Sequence, residues 1–279
     1  MNEAIVSGWV LILLLIGSGF FAGCYGATVG IGGAVVLLPI LLLLFPHATP
    51  QTITSVTMGV VFINALSGTV SYAKQKRIDY RNGVWFACAT IPGTVFGILV
   101  LRFIPQRIFF IIFGMMMLVF SAIIFFRPNA KQSSLTSGID NSMHNDFSRM
   151  RYSYSCNRRL GVILSFIVGF ISGLLGIGGG IIHVPVMLYI LLIPSHIAVA
   201  TSQFMLVFTG FVGTLTHALS GVYTQNWEII LCLIIGVIPG AYVGARLSSK
   251  MKGQGLMRLL SLGLVLAGIR LGVMGLLAQ

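Results

Sequence analysis

Two long apolar runs in this chain are each interrupted by a cluster of glycines, and the two clusters are related in sequence. The first reads Gly-Ala-Thr-Val-Gly-Ile-Gly-Gly-Ala at positions 26–34, and the second reads Gly-Leu-Leu-Gly-Ile-Gly-Gly-Gly at positions 173–180. The spacing from Gly30 to Pro39 equals the spacing from Gly176 to Pro185. Since the core of a bilayer holds no water, such breaks are tolerated there only where neighbouring protein or a wet cavity pairs with the freed backbone groups. The chain is therefore predicted to have two related halves, each with a broken helix.

The composition identifies the environment in which these breaks lie. Of the 279 residues, 57% are hydrophobic and 8% are charged, and the mean hydropathy is +0.99. Soluble domains have about 25% charged residues, so the composition predicts a polytopic membrane protein. The net charge of +12 does not indicate a nucleic-acid partner, because the Lys and Arg residues lie in short loops between apolar segments, as the positive-inside rule predicts.

Apolar runs divide each half into five predicted membrane segments, which gives an all-α fold. They cover 4–28, 34–45, 52–73, 84–101 and 108–126 in the first half, and 160–175, 181–193, 198–219, 228–246 and 256–276 in the second. The second segment of each half has fewer than the roughly 20 residues that a crossing helix needs, and is predicted to be a half-helix or a re-entrant arm. The predicted organisation is a first transmembrane repeat at 1–126, a cytoplasmic linker at 127–159 and a second transmembrane repeat at 160–279.

The distribution of Lys and Arg gives an orientation. Three loops, at 74–81, 127–159 and 246–258, contain fourteen of the 17 Lys and Arg residues, whereas the loops at 45–51 and 220–227 contain none. The positive-inside rule places the three basic loops in the cytoplasm and the N-terminus outside. With an odd number of segments per half, the two halves have inverted topology about an axis in the membrane plane. If the broken segments re-enter instead of spanning, each half loses two crossings and this relation is unchanged, so the sequence leaves both arrangements open.

The residue types around the breaks favour an anion as the ligand. The sequence has five acidic residues, all in loops or at segment ends: Glu3, Asp79, Asp140, Asp146 and Glu228. Cation carriers usually have a carboxylate inside the membrane, whereas helix N-termini with unpaired N–H groups attract anions. We therefore predict that bare backbone at both breaks binds an oxyanion. The predicted residues are Gly30, Gly32, Gly33, Gly176, Gly178, Gly179 and Gly180.

Close helix packing through small residues is the alternative explanation for these glycines. It is the better explanation for glycines spaced four apart elsewhere, such as Gly19 with Gly23 and Gly240 with Gly244. A dense cluster, a downstream proline and duplication favour the binding interpretation at the two breaks.

A second group of candidates carries hydroxyl or amide groups near the start of the third segment of each half. Its members are Thr54, Ser55, Thr201, Ser202 and Gln203. If these side chains face the broken half-helix, they donate hydrogen bonds to oxygens of the anion. The alternative is that the hydroxyls bond to the preceding turn of their own helix.

Two histidines, His183 just after the second break and His217 in the third segment of the second half, lie well inside apolar segments. A histidine there can carry a coupling proton near neutral pH, and the alternative role is a hydrogen bond between helices. A coupling proton or sodium ion is a candidate partner of a secondary transporter. No group of His, Asp, Glu and Cys has the pattern of a catalytic or metal site, so the sequence predicts neither an enzyme nor a bound metal or cofactor.

Several motifs occur together in this chain: the doubled Gly-x-Gly-Gly-[Ala/Gly] with its proline, Ala200-Thr201-Ser202, and Pro239-Gly240-x-x-x-Gly244. In this combination the sequence resembles the sulfite exporter TauE/SafE (TSUP) family, over nearly the whole chain except 127–159. The resemblance implies a multi-pass transporter of the bacterial or archaeal inner membrane for small sulfur-containing anions, such as sulfite or organosulfonates. We expect the anion near the midplane, with alternating access. The alternatives are a passive channel or carrier for another small anion, and a membrane sensor or scaffold that transports nothing.

Overall fold

The computed structural model describes residues 8–45, 48–126, 141–147, 150–155, 157–221, 227–251 and 253–277. The helices of the first half are α1 (Gly8–Val29), α2 (Ala34–Leu44), α3 (Pro50–Lys74), α4 (Tyr80–Leu101) and α5 (Gln106–Phe126). Those of the second half are α6 (Arg158–Leu175), α7 (Gly180–Pro185) continued by the π-helical turn Val186–Ile190, α8 (Ser195–Leu219), α9 (Trp227–Lys250) and α10 (Gly253–Leu277). The five segments predicted for each half are therefore present.

Between the halves, β1 (Asn141–Phe147) and β2 (Met150–Ser155) form an antiparallel hairpin. This hairpin lies in the segment that the sequence predicts as a linker, and positions 127–140, 148–149 and 156 of that segment lie outside the described residues. Residues 1–7, to which the prediction of an external N-terminus refers, also lie outside them.

Six of the described helices are long and apolar enough to cross a membrane by length and composition: α1, α3, α4, α6, α8 and α9. The helices that follow the two glycine breaks, α2 and α7 with its π-helical turn, are shorter. The chain is therefore an α-helical polytopic membrane protein, as the composition predicts. Every described residue of α7 and most of α2 are buried by surrounding helices, which is where a membrane protein tolerates broken backbone.

Side-chain caps fix where several of the helices begin. Thr49 precedes α3 and its hydroxyl accepts a hydrogen bond from the amide of Thr52 (3.3 Å). Asp79 precedes α4 and its carboxylate accepts from the amide of Asn82 (3.2 Å), and Asn157 caps α6 in the same way. Each cap pairs with one of the amides that a helix N-terminus leaves without an intrahelical partner.

Helices of one half pack mainly on helices of the other half. Helix α1 packs on α9, α6 packs on α4, and the equivalent pairs α3 with α8 and α5 with α10 pack on each other. Glycines allow the closest approaches: a Cβ added at Gly19 would lie 2.3 Å from the Leu233 carbonyl oxygen, and one added at Gly240 would lie 2.3 Å from that of Phe20. These glycines therefore serve close helix packing, as their spacing predicts.

Helices α3 and α8 form the centre of the bundle. Within an 18-residue apolar window of each candidate span, 67% of the residues are buried in α3 and 61% in α8, against 39–44% in the other four. Both short helices pack against this central pair. The sequence places the predicted hydroxyl and amide candidates on these same two helices, so the fold brings them next to the breaks.

Candidate functional site

Each glycine break contains three glycines whose backbone lies in the left-handed region. The residues with positive φ are Gly30 (84°), Gly32 (75°), Gly33 (83°), Gly176 (70°), Gly178 (72°) and Gly179 (88°). A side chain on a residue in this region clashes with its own backbone, so glycine is strongly favoured there. The six positions are matched between the halves, which explains why the glycine pattern is duplicated.

The two breaks meet at the centre of the protein. A Cβ added at Gly32 would lie 2.8 Å from Val61 Cγ1, and one added at Gly178 would lie 2.5 Å from that same atom and 2.6 Å from Leu206 Cδ2. Both breaks therefore touch Val61 of α3 and Leu206 of α8. The breaks also approach each other, because a Cβ at Gly180 would lie 2.5 Å from the Cα of Ile31.

The backbone amides of the breaks are incompletely paired. In the first break, the amides before position 32 donate to the carbonyl of Gly26, and those after position 35 donate to the carbonyl of Gly33. In the second break, the carbonyls of Ser172 and Gly179 have the same two roles. Between these two sets, the amides of 32–35 and 178–181 donate to no acceptor in the described part of the chain. Each short helix is thus preceded and begun by four amides of buried residues that have no partner among the residues the structure describes.

Three hydroxyls of the central helices hold the carbonyls of the breaks. Ser202 donates to the carbonyl oxygen of Gly30 (2.9 Å) and Thr57 donates to that of Gly176 (2.9 Å), so each of these bonds joins one half to the other. Thr209 donates to the carbonyl oxygen of Gly178 (3.0 Å). These three carbonyl oxygens are therefore already paired, whereas the amides of 32–35 and 178–181 remain available to an occupant.

The other predicted side chains make different contacts. Thr54 donates to the carbonyl oxygen of Pro50 (2.8 Å) and Ser55 donates to that of Thr52 (2.8 Å), so these two hydroxyls bond to their own helix. The hydroxyl of Thr201 accepts from the amide of Asp79 (3.0 Å).

Gln203 contacts the opposite half, because its Nε2 donates to Oδ1 of Asn64 (3.4 Å). Two further hydroxyls that hold carbonyls of the breaks, those of Thr57 and Thr209, are not among the residues predicted to bind the anion. Thr57 and Ser202 bond to the matching glycines Gly176 and Gly30, so Thr57 is the first-repeat counterpart of a predicted residue, and this correspondence was the signal that could have identified it.

Four buried side-chain atoms beside the breaks also lack a hydrogen-bond partner: Asn64 Nδ2, Gln203 Oε1, Ser172 Oγ and His183 Nε2. A Cβ added at Gly33 would lie 2.9 Å from Asn64 Nδ2, and one added at Gly179 would lie 3.0 Å from His183 Nδ1 and 3.3 Å from Ser172 Oγ. Buried polar atoms are usually paired. Their presence beside both breaks indicates a place where a ligand or water supplies the missing partners.

The two predicted proton carriers lie in different places. His183 lies against the second break, as described above. His217 is on α8 eight residues after Thr209, which corresponds to about 12 Å along a helix, and it lies at the end of the bundle where Arg102 of α4 donates to the hydroxyl of Ser220. Both histidines are buried, but the structure brings only His183 to the breaks.

Charged groups are scarce around the site. Asp79 is fully buried at the start of α4, where its carboxylate also accepts from Asn82 Nδ2 (2.7 Å). Among the described residues, no group of three or more His, Cys, Asp and Glu could hold a metal ion. What the breaks offer chemically is therefore a set of neutral hydrogen-bond donors at the positive ends of two short helices.

The fold and these breaks define a polytopic α-helical membrane protein with two broken helices at its centre. The family model "Sulfite exporter TauE/SafE" matches residues 15–271, and the chain therefore belongs to that family. This confirms the resemblance seen in the sequence.

Named relatives cover almost the whole chain. The chain is 32% identical over 266 residues to the probable membrane transporter protein YunE of Bacillus subtilis, which covers 93% of this chain and 96% of the relative. It is 29% identical over 279 residues to a probable membrane transporter protein of Methanocaldococcus jannaschii, with 96% and 95% covered. No solved structure matches the chain. The family and the relatives' names indicate a membrane transporter and not an enzyme.

Proposed function

We propose that this protein is a secondary carrier that moves a small sulfur-containing oxyanion, such as sulfite or an organosulfonate, across the inner membrane by alternating access. The anion binds near the midplane, at the N-termini of α2 and α7. The observation that carries this proposal is the convergence of the unpaired amides of 32–35 and 178–181 between α3 and α8.

The physical basis is the charge distribution of a helix terminus. Unpaired N–H groups at the start of a helix carry partial positive charge, and successive amides in alternating conformations form a concave anion site. Because the ligand's charge is met by backbone dipoles, no buried Lys or Arg is needed. The substrate class is supported by the description of the family, which is a sulfite exporter family.

Alternating access rests on inverted halves, and helix directions support this relation. A Cβ at Gly210 would touch Phe62 and one at Gly213 would touch Met58, so α3 and α8 run antiparallel. The hydroxyl of Ser121 bonds to the carbonyl of Ser261, while a Cβ at Gly114 would touch Gly272, so α5 and α10 also run antiparallel. These pairs occupy equivalent positions in the two repeats, and equivalent helices of opposite direction are expected of an inverted repeat.

The proposed orientation has the N-terminus outside and the basic loops, including the linker 127–159 between the repeats, in the cytoplasm. Gln75, just after α3, donates to the carbonyl of Ala245 near the end of α9 (3.2 Å). Arg158 at the start of α6 donates to Asn82 at the start of α4 (3.4 Å). These contacts gather the flanks of all three basic loops at one end of the bundle, as the positive-inside rule expects.

The test is uptake of labelled sulfite and of labelled methanesulfonate into proteoliposomes. We expect saturable uptake by the wild type, loss of uptake in Gly178→Ala, and unchanged uptake in the matched control Gly17→Ala, because a Cβ at Gly17 meets no atom within 4 Å. Each variant is reconstituted from monodisperse protein, so that unfolding does not imitate loss of binding. Non-saturable conductance would indicate a channel, absence of flux in folded wild type would indicate a scaffold, and either result would refute the carrier.

A further inference from the structure

The side chains of Asn64 on α3 and Gln203 on α8 face each other across the centre of the protein, and both are fully buried. Their one mutual hydrogen bond runs from Gln203 Nε2 to Asn64 Oδ1, at 3.4 Å. This leaves Asn64 Nδ2, a donor, and Gln203 Oε1, an acceptor, without a partner among the described residues. Two neighbouring side chains thus have complementary hydrogen-bonding groups that the protein does not use.

This result does not depend on which way the two amides are turned. If Asn64 Nδ2 instead donated to Gln203 Oε1, the groups left over would be Gln203 Nε2 and Asn64 Oδ1. Counted between these two side chains alone, either arrangement leaves one NH₂ group and one carbonyl oxygen over. An occupant that satisfies both must itself carry an acceptor and a donor.

The pair lies beside the first break. A Cβ added at Gly33 would lie 2.9 Å from Asn64 Nδ2, and one added at Gly26 would lie 2.6 Å from the same atom. The unpaired amides of 32–35 begin at this point. A ligand held by those amides is therefore within reach of the amide pair.

We propose that the Asn64–Gln203 pair is a subsite for an oxyanion of the hydrogensulfite type, which carries its own hydroxyl proton. This inference rests on the proposed function. The unpaired NH₂ donates to an oxygen of the anion, and the anion's O–H donates to the unpaired carbonyl. A fully deprotonated sulfonate offers only acceptors, so it leaves that carbonyl unpaired. The pair consequently selects the protonated form of the anion.

Among the described residues, one such pair of amide side chains lies at the centre of the protein. The second-repeat equivalent of Asn64 is Thr209, whose hydroxyl is bound to the carbonyl of Gly178, and the first-repeat equivalent of Gln203 is Met58, which has no amide group. The two breaks therefore differ chemically although their backbones match. The protonated end of the anion lies at the first break, and the second break receives its other oxygens.

Methylphosphonate and methanesulfonate are suitable probes because they have nearly the same shape. At one mildly acidic pH both are monoanions, but only methylphosphonate carries an O–H group. Each is measured as a competitor of labelled sulfite uptake in proteoliposomes. Working at a single pH keeps the protonation of His183, the titratable side chain beside the second break, constant across the comparison.

We expect the wild type to prefer methylphosphonate by about ten- to a hundredfold, the range for one hydrogen bond to a charged group. In the double variant Asn64→Leu, Gln203→Met, which has the same approximate volume but no amides, the preference should fall to about onefold. Equal inhibition by the two anions in the wild type would overturn the inference without any variant. A preference retained in the double variant would overturn it as well.

The outcomes separate this inference from the proposed function. Absence of sulfite uptake by folded wild type would refute the carrier and, with it, the subsite. Sulfite uptake with no discrimination between the two probes would refute the subsite alone. If the pair only ties α3 to α8, the double variant should take up sulfite more slowly, but the ratio of inhibition by the two probes should not change.

Discussion

The most demanding consequence of the geometry concerns Gly178→Ala. Two costs can be read from the structure. The positive φ of 72° costs an L-residue about 1–2 kcal/mol. The new Cβ would lie 2.5 Å from Val61 and 2.6 Å from Leu206, and such overpacking costs about 1–3 kcal/mol. We therefore expect the free energy of unfolding to fall by about 2–5 kcal/mol.

The two costs can be separated by a double-mutant cycle, measured by SDS-induced unfolding in mixed micelles. In a Val61→Ala, Leu206→Ala background the steric cost disappears, and only the backbone cost of about 1–2 kcal/mol should remain. The control Gly17→Ala, in an open position of α1, should be neutral or stabilising by up to about 1 kcal/mol. Two results would refute the assigned costs: a loss of unfolding free energy in Gly178→Ala no larger than in Gly17→Ala, or an equal loss in the wild-type and the Val61→Ala, Leu206→Ala backgrounds.

Three further predictions concern side chains around the site. Ser202→Ala leaves a buried carbonyl of the first break unpaired and should lower the free energy of unfolding by about 1–3 kcal/mol. Thr54→Val removes a bond within one helix and should lower it by less than about 0.5 kcal/mol. Equal losses in SDS-induced unfolding would contradict the assigned contacts. Asp79→Ala removes the cap of α4 and should cost about 0.5–2 kcal/mol in the same assay; no loss would show that the cap is unimportant. If His183 or His217 carries the coupling proton, its Gln variant should keep sulfite uptake but lose stimulation by an imposed pH gradient, and stimulation retained in both variants would exclude the role.

The helices and the breaks could be predicted from the sequence because their causes are local. Apolar runs give the segments, and a glycine cluster inside such a run ends a helix wherever the chain is folded. The positive φ values at Gly32 and Gly178 are what their sequence context predicts. The short second segments were predicted for the same reason.

The contacts of the polar side chains were not predictable in the same way. A Ser or Thr in a helix always has a carbonyl of its own preceding turn within reach, so only the packing of the other half decides between a local bond and a distant one. Thr54 bonds locally, whereas Ser202 bonds to the first break. The complete burial of Asp79, which the sequence places only at a segment end, likewise arises from helices that are distant along the chain.

If backbone amides of the breaks hold the anion, their resonances must change when it binds. Amide NMR of glycine-¹⁵N-labelled protein in micelles measures this change. Sulfite is titrated while the glycine amide resonances are followed. We expect saturable downfield shifts for the unpaired glycine amides of the breaks, with no shift for Gly17. The amides in question are those of Gly32, Gly33, Gly178, Gly179 and Gly180. Saturable uptake of sulfite by the same protein without shifts at these glycines would place the anion elsewhere and would refute binding by the amides of the breaks.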